Sequence, residues 1–306
     1  MKIALLYTGQ GSQLVGMGKD LYQIPDFKKD FDNLESFVDF NLTEMCFEDK
    51  NKYLDITKYT QPCLVAYQIA LSDLLCSKSI SPDYVAGVSL GEYSALYTAG
   101  VWDKKQIMEI VSVRGKIMEE AVKNIKGKSI SVIGLDNESV EQICHSCGSA
   151  QITNYCCDGN ITIGGLEVDI DEAVKLAKEK GAKHCIPLKS NYPFHTPLLK
   201  EAGDKLYEYL ANISLKEMRI PVVFNYVGRT KRQDESILDL LKAQIYSCIY
   251  LDKTIKFLLN KGIDTLIEIG PKSVYSKTIN RITKKIQTYW IGDIPSLEKF
   301  LINYKK

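Results

Sequence analysis

The chain has almost no net charge and no long hydrophobic run, and each of these absences argues against a class of function. Among its 306 residues, 39 Lys and Arg balance 38 Asp and Glu to leave a net charge of +1. The chain as a whole therefore has no electrostatic field that would hold nucleic acid or an anionic membrane. We find no run of eighteen apolar residues, so no segment is predicted to span a membrane.

The amino-terminal stretch and the cysteines indicate a cytoplasmic protein. The first residues, MKIALLYTGQGSQ, reach a glycine too early to form the apolar core of a signal peptide. The nine cysteines are odd in number and scattered through apparent strands and helices, so we interpret them as reduced thiols. With 45% apolar residues, the chain can bury a full core. We expect a globular, cytoplasmic protein.

The alternation of apolar runs with helix-forming segments predicts an α/β fold. Residues 3–8, IALLYT, have the composition of a buried strand and end in the glycine-rich turn GQGSQ. Helical spacing of apolar residues follows over 58–78, and the run YVAGVS predicts a second buried strand. Two more helices are predicted over 92–100 and 104–124.

From Lys126 the pattern changes to strand, helix, strand, strand, helix, strand. These six predicted elements cover 129–135, 137–147, 150–155, 161–165, 167–180 and 182–188. Their order is that of the ferredoxin-like split motif, so residues 126–189 are predicted to form an inserted subdomain. The α/β pattern then resumes with elements at 197–211, 221–227, 235–246, 252–261, 265–270 and 273–283. The predicted core therefore consists of residues 1–125 and 190–306.

The stretch GVSLGEYSAL, residues 87–96, contains a candidate nucleophile. Ser89 stands in the pattern G-x-S-x-G, in which a strained strand-to-helix turn projects the hydroxyl and the glycines prevent steric collision. A chance match in a glycine-containing turn is the alternative for the bare pattern. The preceding run YVAGV is strand-like and the following EYSALYTA is helix-like, so the required context is present. We therefore favour Ser89 as a nucleophile, which needs a nearby base.

The sequence offers only three histidines as that base. His145 and His184 both fall in the predicted insertion, whereas His195, in NYPFHTPLL, stands where the chain re-enters the core. A helix is predicted to begin just after it, with Thr196 and Pro197 at its first positions. A lone histidine is more often a hydrogen-bonded structural residue, but the unpaired serine favours His195 as the base. No acidic residue is evident as its orienting partner, and a main-chain carbonyl can serve.

The sequence gives little support for a metal site or for a nucleotide site. Cys144 and Cys147 have zinc-ligand spacing, but the adjacent pair Cys156 and Cys157 lacks the two intervening residues of a second knuckle. No metal site is therefore predicted. The turn GQGSQLVGMG would need glycine at position 14 to be a dinucleotide fingerprint, and Leu14 stands there.

Two further polar residues are candidates for the site. Gln10, in the glycine turn that ends the first strand, is predicted to lie near the elbow and to help position donors for an oxyanion. Arg114 lies in the helical segment EIVSVRGKIMEEAV among apolar residues. It is either a solvated surface arginine or one directed into the site, where it would bind a carboxylate through two parallel hydrogen bonds.

Together these motifs resemble those of the malonyl-CoA:acyl carrier protein transacylases. The matching stretches, in family order, are TGQGSQ, GVSLGEYSAL, VRGKIMEEAV, NYCCDGNITIGG, FHTPLL, KAQIY and IEIGPKSV. Seven ordered motifs along the full chain are far more specific than any one of them. The resemblance implies an α/β-hydrolase-like core that carries a ferredoxin-like insertion.

The resemblance also implies roles for the catalytic residues. Ser89 would be the acylated nucleophile and His195 its base. Gln10 and the backbone N–H of Leu90 would form the oxyanion hole. The main-chain carbonyl of Gln244 would orient His195, in place of an acid.

For the acyl group, the resemblance implies that Arg114 binds the free carboxylate of malonate and that Asn154 lines the pocket. Val88 stands where the family usually has histidine, which removes a polar group beside the acyl pocket. Phe194 is similar to the residue found in malonyl-selective members of polyketide systems. Thr8 replaces a usual proline before GQGSQ, which is expected to change loop stiffness more than chemistry.

The implied function is ping-pong transfer of a malonyl group from malonyl-CoA to the phosphopantetheine thiol of acyl carrier protein. No bound cofactor or metal is expected, and the pathway is fatty-acid or polyketide synthesis. An acyl hydrolase is a rival interpretation, although Arg114 would then be left unpaired by an uncharged acyl chain. A catalytically idle docking protein and an enzyme that loads a different dicarboxylic acyl unit are two more.

Overall fold

The structure is a computed structural model that describes residues 1–189 and 192–304. Within these residues it is an α/β protein with two β-sheets. The described strands are β1 (Ile3–Tyr7), β2 (Tyr84–Gly87), β3 (Gly127–Ile133), β4 (Gln151–Cys157), β5 (Asn160–Leu166), β6 (His184–Pro187), β7 (Val222–Phe224), β8 (Arg229–Thr230), β9 (Ile249–Tyr250), β10 (Thr265–Ile269) and β11 (Gln287–Ile291). The described helices are α1 (Pro25–Glu35), α2 (Leu42–Phe47), α3 (Thr57–Ser77), α4 (Gly91–Thr98), α5 (Lys104–Val122), α6 (Asn137–Ser146), α7 (Glu167–Glu179), α8 (Lys200–Leu210), α9 (Ile237–Tyr246), α10 (Leu251–Asn260), α11 (Ser276–Ile282) and α12 (Ile294–Tyr304).

The chain divides into two compact units. The first unit consists of residues 1–116, 213–223 and the chain from Leu258 onward, and the second of 117–212 and 224–257. The second unit is larger than the insertion predicted at 126–189. The bounds of that subdomain stay a prediction.

The first sheet has the strand order β11-β10-β1-β2-β7-β8, and its pairings from β11 to β7 are all parallel. Every residue of β1 and β10 is buried, as expected for parallel strands covered on both faces. Tyr7, the last residue of β1, is in register with Gly87 of β2 and Ile269 of β10. The carboxyl ends of these strands therefore meet at one edge, where open parallel sheets bind ligands.

The second sheet has the strand order β6-β3-β5-β4-β9. Its pairings are antiparallel except for the short parallel pair of β4 with β9. Apolar residues of β3, β5, α6 and α7 form a buried cluster that includes Ile130, Val140, Ile161, Ile163 and Ile170. The six elements predicted in this part of the sequence are all present, with bounds that shift by up to two residues.

Two predicted helices differ from those in the structure. The helix predicted over 197–211 is a short 3-10 turn, Pro197–Leu199, followed by α8. The helix predicted from 273 begins at Ser276, because the buried Glu268 carboxylate accepts hydrogen bonds from the backbone N–H groups of Val274 and Tyr275 and holds them in a loop. The sequence did not predict α1, α2, β8, β9, β11 or α12. Among the described helices, none is both long enough and apolar enough to cross a membrane.

Candidate active site

Ser89 lies on a sharp turn between β2 and α4 in the first unit. Its φ of 53° is in the left-handed region, which costs a residue with a side chain about 1–3 kcal/mol. The flanking glycines permit the turn: a Cβ on Gly87 would lie 2.0 Å from the carbonyl carbon of Gly91, and a Cβ on Gly91 would lie 2.3 Å from the carbonyl oxygen of Tyr7. These contacts hold the turn directly against the end of β1. The geometry is that of a nucleophile elbow.

The glycine turn after β1 lies beside this elbow. A Cβ on Gly9 would be 2.5 Å from the carbonyl oxygen of Val88 and 3.8 Å from Cβ of Ser89. The side chain of Gln10 donates from Nε2 to Oγ1 of Thr57 at 3.0 Å. Leu90 is buried at the N-cap position of α4 and has helical backbone angles. Backbone N–H groups at a helix N-terminus point away from the helix and favour negative charge.

Arg114, on α5, is buried in the first unit with 1% of its surface exposed. Its guanidinium lies over the ring of Tyr93 at 4.9 Å from the ring centroid. Burial lowers the pKa of Arg114, and the neighbouring Tyr93 and Glu92 act in the opposite direction. Because Glu92 and Tyr93 belong to α4, Arg114 lies against the helix that follows the nucleophile elbow. The interpretation of Arg114 as a solvated surface residue is wrong.

His195 lies in the second unit and has a defined ring orientation. Nδ1 of the ring is 2.6 Å from the main-chain oxygen of Gln244, which is fully buried on α9. A carbonyl oxygen can only accept a hydrogen bond, so Nδ1 carries the proton and Nε2 of the neutral ring is the basic nitrogen. The backbone of His195 has a φ of 62°, a second left-handed residue among the candidates. His145 and His184 share this unit but are exposed, whereas His195 is 9% exposed.

The other predicted residues of the second unit lie on β4 and before the 3-10 turn. Asn154 is in register with Thr162 on β5, and its Oδ1 is buried and accepts no hydrogen bond within the described chain. The ring of Phe194 packs against that of Tyr192 at 5.4 Å. Thr196 occupies the predicted N-cap position, but its hydroxyl donates to the carbonyl of Pro193 and does not cap the turn.

The structure therefore brings the predicted residues together in two groups. Gln10, Val88, Ser89, Leu90 and Arg114 belong to the first unit, and Asn154, Phe194, His195 and Gln244 to the second. Within the first unit, the glycine turn, the elbow and Arg114 all lie around the start of α4. The catalytic pairing of Ser89 with His195 stays a prediction.

Sequence reasoning missed a set of polar residues on α3. Gln61 is fully buried, and its Nε2 lies 3.5 Å from Oε1 of Gln10. Thr57, which holds the other end of the Gln10 amide, is fully buried as well. The signal that could have found them is the occurrence of uncharged polar residues at helical spacing within an otherwise apolar helix. Among the described residues, no cluster of three or more His, Cys, Asp or Glu side chains is arranged to hold a metal ion.

The chain is similar to known acyl transferases over almost its whole length. The family model for the acyl transferase domain matches residues 4–298. A malonyl CoA-acyl carrier protein transacylase of Bacillus subtilis is 36% identical over 302 aligned residues, which cover 97% of this chain and 95% of the relative. The crystal structure of the transacylase from Clostridium perfringens superposes with a TM-score of 0.96 at 31% identity, covering 100% of this chain and 98% of that one. A malonyl-transacylase in complex with its type II PKS acyl-carrier protein gives a TM-score of 0.95 at 33% identity, with 99% and 100% covered. The chain belongs to the acyl transferase family of enzymes, among the malonyl CoA-acyl carrier protein transacylases.

Proposed function

We propose that the enzyme transfers a malonyl group from malonyl-CoA to the phosphopantetheine thiol of an acyl carrier protein through an ester on Ser89. The observation that carries this proposal is the burial of Arg114 against the helix that begins at the nucleophile elbow. A cation buried against the helix that follows the nucleophile elbow is suited to an acyl group that ends in a free carboxylate. The names of the relatives and the complex with an acyl-carrier protein support the same donor and acceptor.

In the proposed mechanism, Nε2 of His195 takes the proton of the Ser89 hydroxyl while Oγ attacks the thioester carbon. The carbonyl oxygen becomes an oxyanion, which Gln10 and the N–H of Leu90 stabilise. The C–S bond then breaks, and CoA leaves as a thiol with the proton from His195. In the second half of the reaction, His195 takes the proton of the pantetheine thiol and the sulfur attacks the ester carbon. The C–O bond to Ser89 then breaks, and His195 returns the proton to the serine hydroxyl. The Gln244 carbonyl supports the base by keeping the proton of His195 on Nδ1.

Arg114 is proposed to select the acyl group. A guanidinium matches a carboxylate with two parallel hydrogen bonds, and loss of such a charged contact costs about 1.5–3 kcal/mol. The free carboxylate of malonate adds a direct ion pair to this buried cation, which an uncharged acyl chain cannot do. Asn154 and Phe194 are proposed to line the acyl pocket, as the resemblance implies. Val88, 5% exposed, presents an apolar surface beside the nucleophile.

We also propose the finer architecture that the resemblance implies. The order β6-β3-β5-β4 places the four strands of the βαββαβ segment in the sequence fourth, first, third, second. This arrangement supports a ferredoxin-like insertion at residues 126–189 in an α/β-hydrolase-like core. Among the described residues no two of the nine cysteines form a disulfide, which supports a cytoplasmic location.

Intact-mass measurement after mixing with malonyl-, methylmalonyl- and acetyl-CoA tests the proposal. We expect a malonyl adduct on the wild-type enzyme and none on Ser89→Ala. The Arg114→Ala variant should lose malonyl loading and gain acetyl loading, because the pocket then no longer demands a carboxylate. An adduct that survives Ser89→Ala would end the mechanism, and unchanged selectivity in Arg114→Ala would remove the proposed role of the arginine.

The hydrolase interpretation is separated by the fate of the adduct. A transferase should keep its malonyl ester for many turnover times in water and lose it when holo acyl carrier protein is added. A hydrolase would lose the ester at the same rate with or without the carrier.

A further inference from the structure

One face of the buried helix α3 is polar, and it contacts the end of β1 and the glycine turn that follows. Thr57, Gln61, Gln68 and Ser72 are each at most 1% exposed. At 3.6 residues per turn they fall within about 60° of one another around the helix. Ser72 meets the hydroxyl of Tyr7 at 2.7 Å, whereas Thr57 and Gln61 meet the side chain of Gln10. Buried polar groups require partners, so this stripe fixes the strand end and the glycine turn.

Gln68 makes the most extensive contacts in this stripe. Its Nε2 donates to the carbonyl oxygen of Thr8 at 2.7 Å and lies 3.1 Å from the Thr8 hydroxyl. Its Oε1 accepts a hydrogen bond from the hydroxyl of Ser94 at 2.6 Å. All three side chains are fully buried. Because the Thr8 carbonyl can only accept, the amide has a single productive orientation, with Nε2 toward Thr8 and Oε1 toward Ser94.

These contacts join two parts of the catalytic machinery. Thr8 immediately precedes Gly9 and Gln10, and its hydroxyl is also 2.8 Å from that of Ser12 within the same turn. Ser94 lies on α4, whose first residues form the elbow around Ser89. One amide therefore spans the glycine turn and the nucleophile helix.

We propose that Gln68 is a positioning residue of the oxyanion hole, which holds the glycine turn at the right distance from the elbow. The inference rests on the proposed function, in which Gln10 stabilises the oxyanion. A displacement of about 1 Å in catalytic geometry can lower a rate about a hundredfold. Such a displacement affects the transition state and leaves the binding of the thioester nearly unchanged.

The test compares Gln68→Met, Gln68→Glu and Thr60→Val with the wild type in malonyl transfer to holo acyl carrier protein. Gln68→Met keeps the length of the side chain but removes its hydrogen bonds to Thr8 and Ser94. Thr60→Val is the matched control, because Thr60 is also fully buried on α3 but its hydroxyl donates to the carbonyls of Leu54 and Ile56, away from β1. We expect kcat of Gln68→Met to fall about ten- to a hundredfold with KM for malonyl-CoA within about twofold. Thr60→Val should lose stability but keep kcat.

Gln68→Glu adds a readout that a merely structural role would not produce. A protonated carboxyl can donate to the Thr8 carbonyl and accept from Ser94, whereas an ionised carboxylate cannot donate. Burial favours the neutral form of such a group. The ratio of kcat for Gln68→Glu to that of the wild type should therefore rise as the pH falls from about 8 to about 5.5. The same ratio for Gln68→Met should not change with pH.

Three results would overturn the inference: wild-type kcat in Gln68→Met, a loss that lies only in KM, or a pH-independent ratio for Gln68→Glu. If Gln68→Met does not fold, Ser94→Ala tests the same contact, since it removes the donor that fixes Oε1, and a smaller loss of kcat is expected.

Labelling of Ser89 by a fluorophosphonate separates this inference from the proposed function, because the phosphonyl oxygen uses the same donors without any malonyl group. Slower labelling of Gln68→Met supports the inference even if malonyl transfer fails, and equal labelling rates refute it.

Discussion

The backbone of Ser89 has a conformation that residues with a side chain rarely adopt, with φ at 53°. The structure tolerates it because Gly87 and Gly91 allow the turn to pack against β1 at distances that a Cβ would not permit. Strain of this kind persists at functional sites because it points a reactive group outward. The strained backbone at Ser89 therefore lowers the stability of the fold, and the proposed role of Ser89 as a nucleophile would explain this cost.

This strain predicts opposite effects of two inactivating substitutions. Ser89→Ala removes the hydroxyl but keeps a Cβ, whereas Ser89→Gly also relieves the left-handed backbone. We expect Ser89→Gly to be more stable than Ser89→Ala by about 1 kcal/mol, measured by urea denaturation. Both should be unable to form the acyl ester. Equal stability of the two variants, or greater stability of the alanine variant, would show that the turn is not strained.

Tyr93 is predicted to control how well Arg114 binds the carboxylate. The guanidinium lies over the Tyr93 ring, and burial raises the pKa of that phenol to about 12, so the ring stays neutral. A desolvated cation–π contact contributes about 2 kcal/mol. We expect Tyr93→Leu to raise KM for malonyl-CoA by about ten- to thirtyfold with a smaller effect on kcat.

Tyr93→Phe is the control for this prediction, because it keeps the aromatic face and removes only the hydroxyl. Its KM should rise less than that of Tyr93→Leu, because the cation–π contact is kept. The prediction fails if the phenylalanine and leucine variants have the same KM. Circular dichroism should accompany the kinetics, since the Tyr93 ring also stacks on Trp102.

At the scale of elements, the turn before α9 is held by Glu235. The carboxylate binds the Arg229 guanidinium through two contacts of 2.7 and 2.6 Å and accepts from the backbone N–H of Arg232. The hydrogen bond from Arg229, with that from the Arg232 backbone, lowers the pKa of Glu235 to about 2. The helix that follows carries Gln244, so the turn anchors the helix whose main chain orients His195.

The lowered pKa predicts a pH dependence of stability. An unfolded glutamate is protonated below its ordinary pKa of about 4.3, whereas the folded one stays ionised down to about pH 2. The stabilising effect is therefore fully present above the unfolded pKa and is lost as the pH falls toward 2. Denaturation of wild type and Glu235→Gln between pH 2 and pH 7 should show a difference in stability that is constant above about pH 5 and shrinks below it. A pH-independent gap for Glu235→Gln would contradict the assignment.

The elements that the sequence predicted are those with strong local patterns. The run IALLYT and the segment from Lys126 are unambiguous because apolar periodicity and glycine turns mark each boundary. The two-residue strands β8 and β9 have no such pattern, since tertiary pairing alone makes them strands. In α1, Pro25 at the first turn and the spacing of Phe27, Phe31 and Leu34 are signals of a helix, yet the charged residues between them weaken the pattern.

For the candidate site, the motifs point to the residues that are proposed to carry the chemistry, but not to the buried residues that hold them in place. Ser89, His195 and Arg114 stand in patterns that a mechanism requires. The contacts of Gln68 with Thr8 and Ser94 join positions that are 60 and 26 residues apart, and no local pattern encodes them. The sequence predicts that Thr8, in place of the usual proline, affects mainly stiffness, but its hydroxyl takes part in this buried network.

At the scale of the whole molecule, the chain connects its two compact units through continuous elements. It passes between them at residues 116–117, 212–213, 223–224 and 257–258. Three of these positions lie inside α5, β7 and α10. Unfolding of one unit would therefore break a helix or strand that continues into the other. The connectivity predicts one cooperative transition, as in small single domains.

The buried cysteines provide a probe of each unit in this transition. Cys46 and Cys63 are fully buried in the first unit, and Cys144, Cys147 and Cys157 are at most 6% exposed in the second. Burial also raises the pKa of Cys144 to about 12, so the native thiol is both inaccessible and protonated. Thiolate is the reactive form, so these side chains should resist alkylation until the surrounding core opens.

Pulsed alkylation across a urea series, read by peptide mass, should give the same midpoint for the two sets of thiols. Cys76, which is exposed, is the internal control and should react at every urea concentration. Separate midpoints would mean that α5, β7 and α10 do not couple the units. In that case the stability differences predicted for Ser89→Gly and for Glu235→Gln would each have to be assigned to the transition of its own unit, because a single free energy of unfolding would not be defined for the chain.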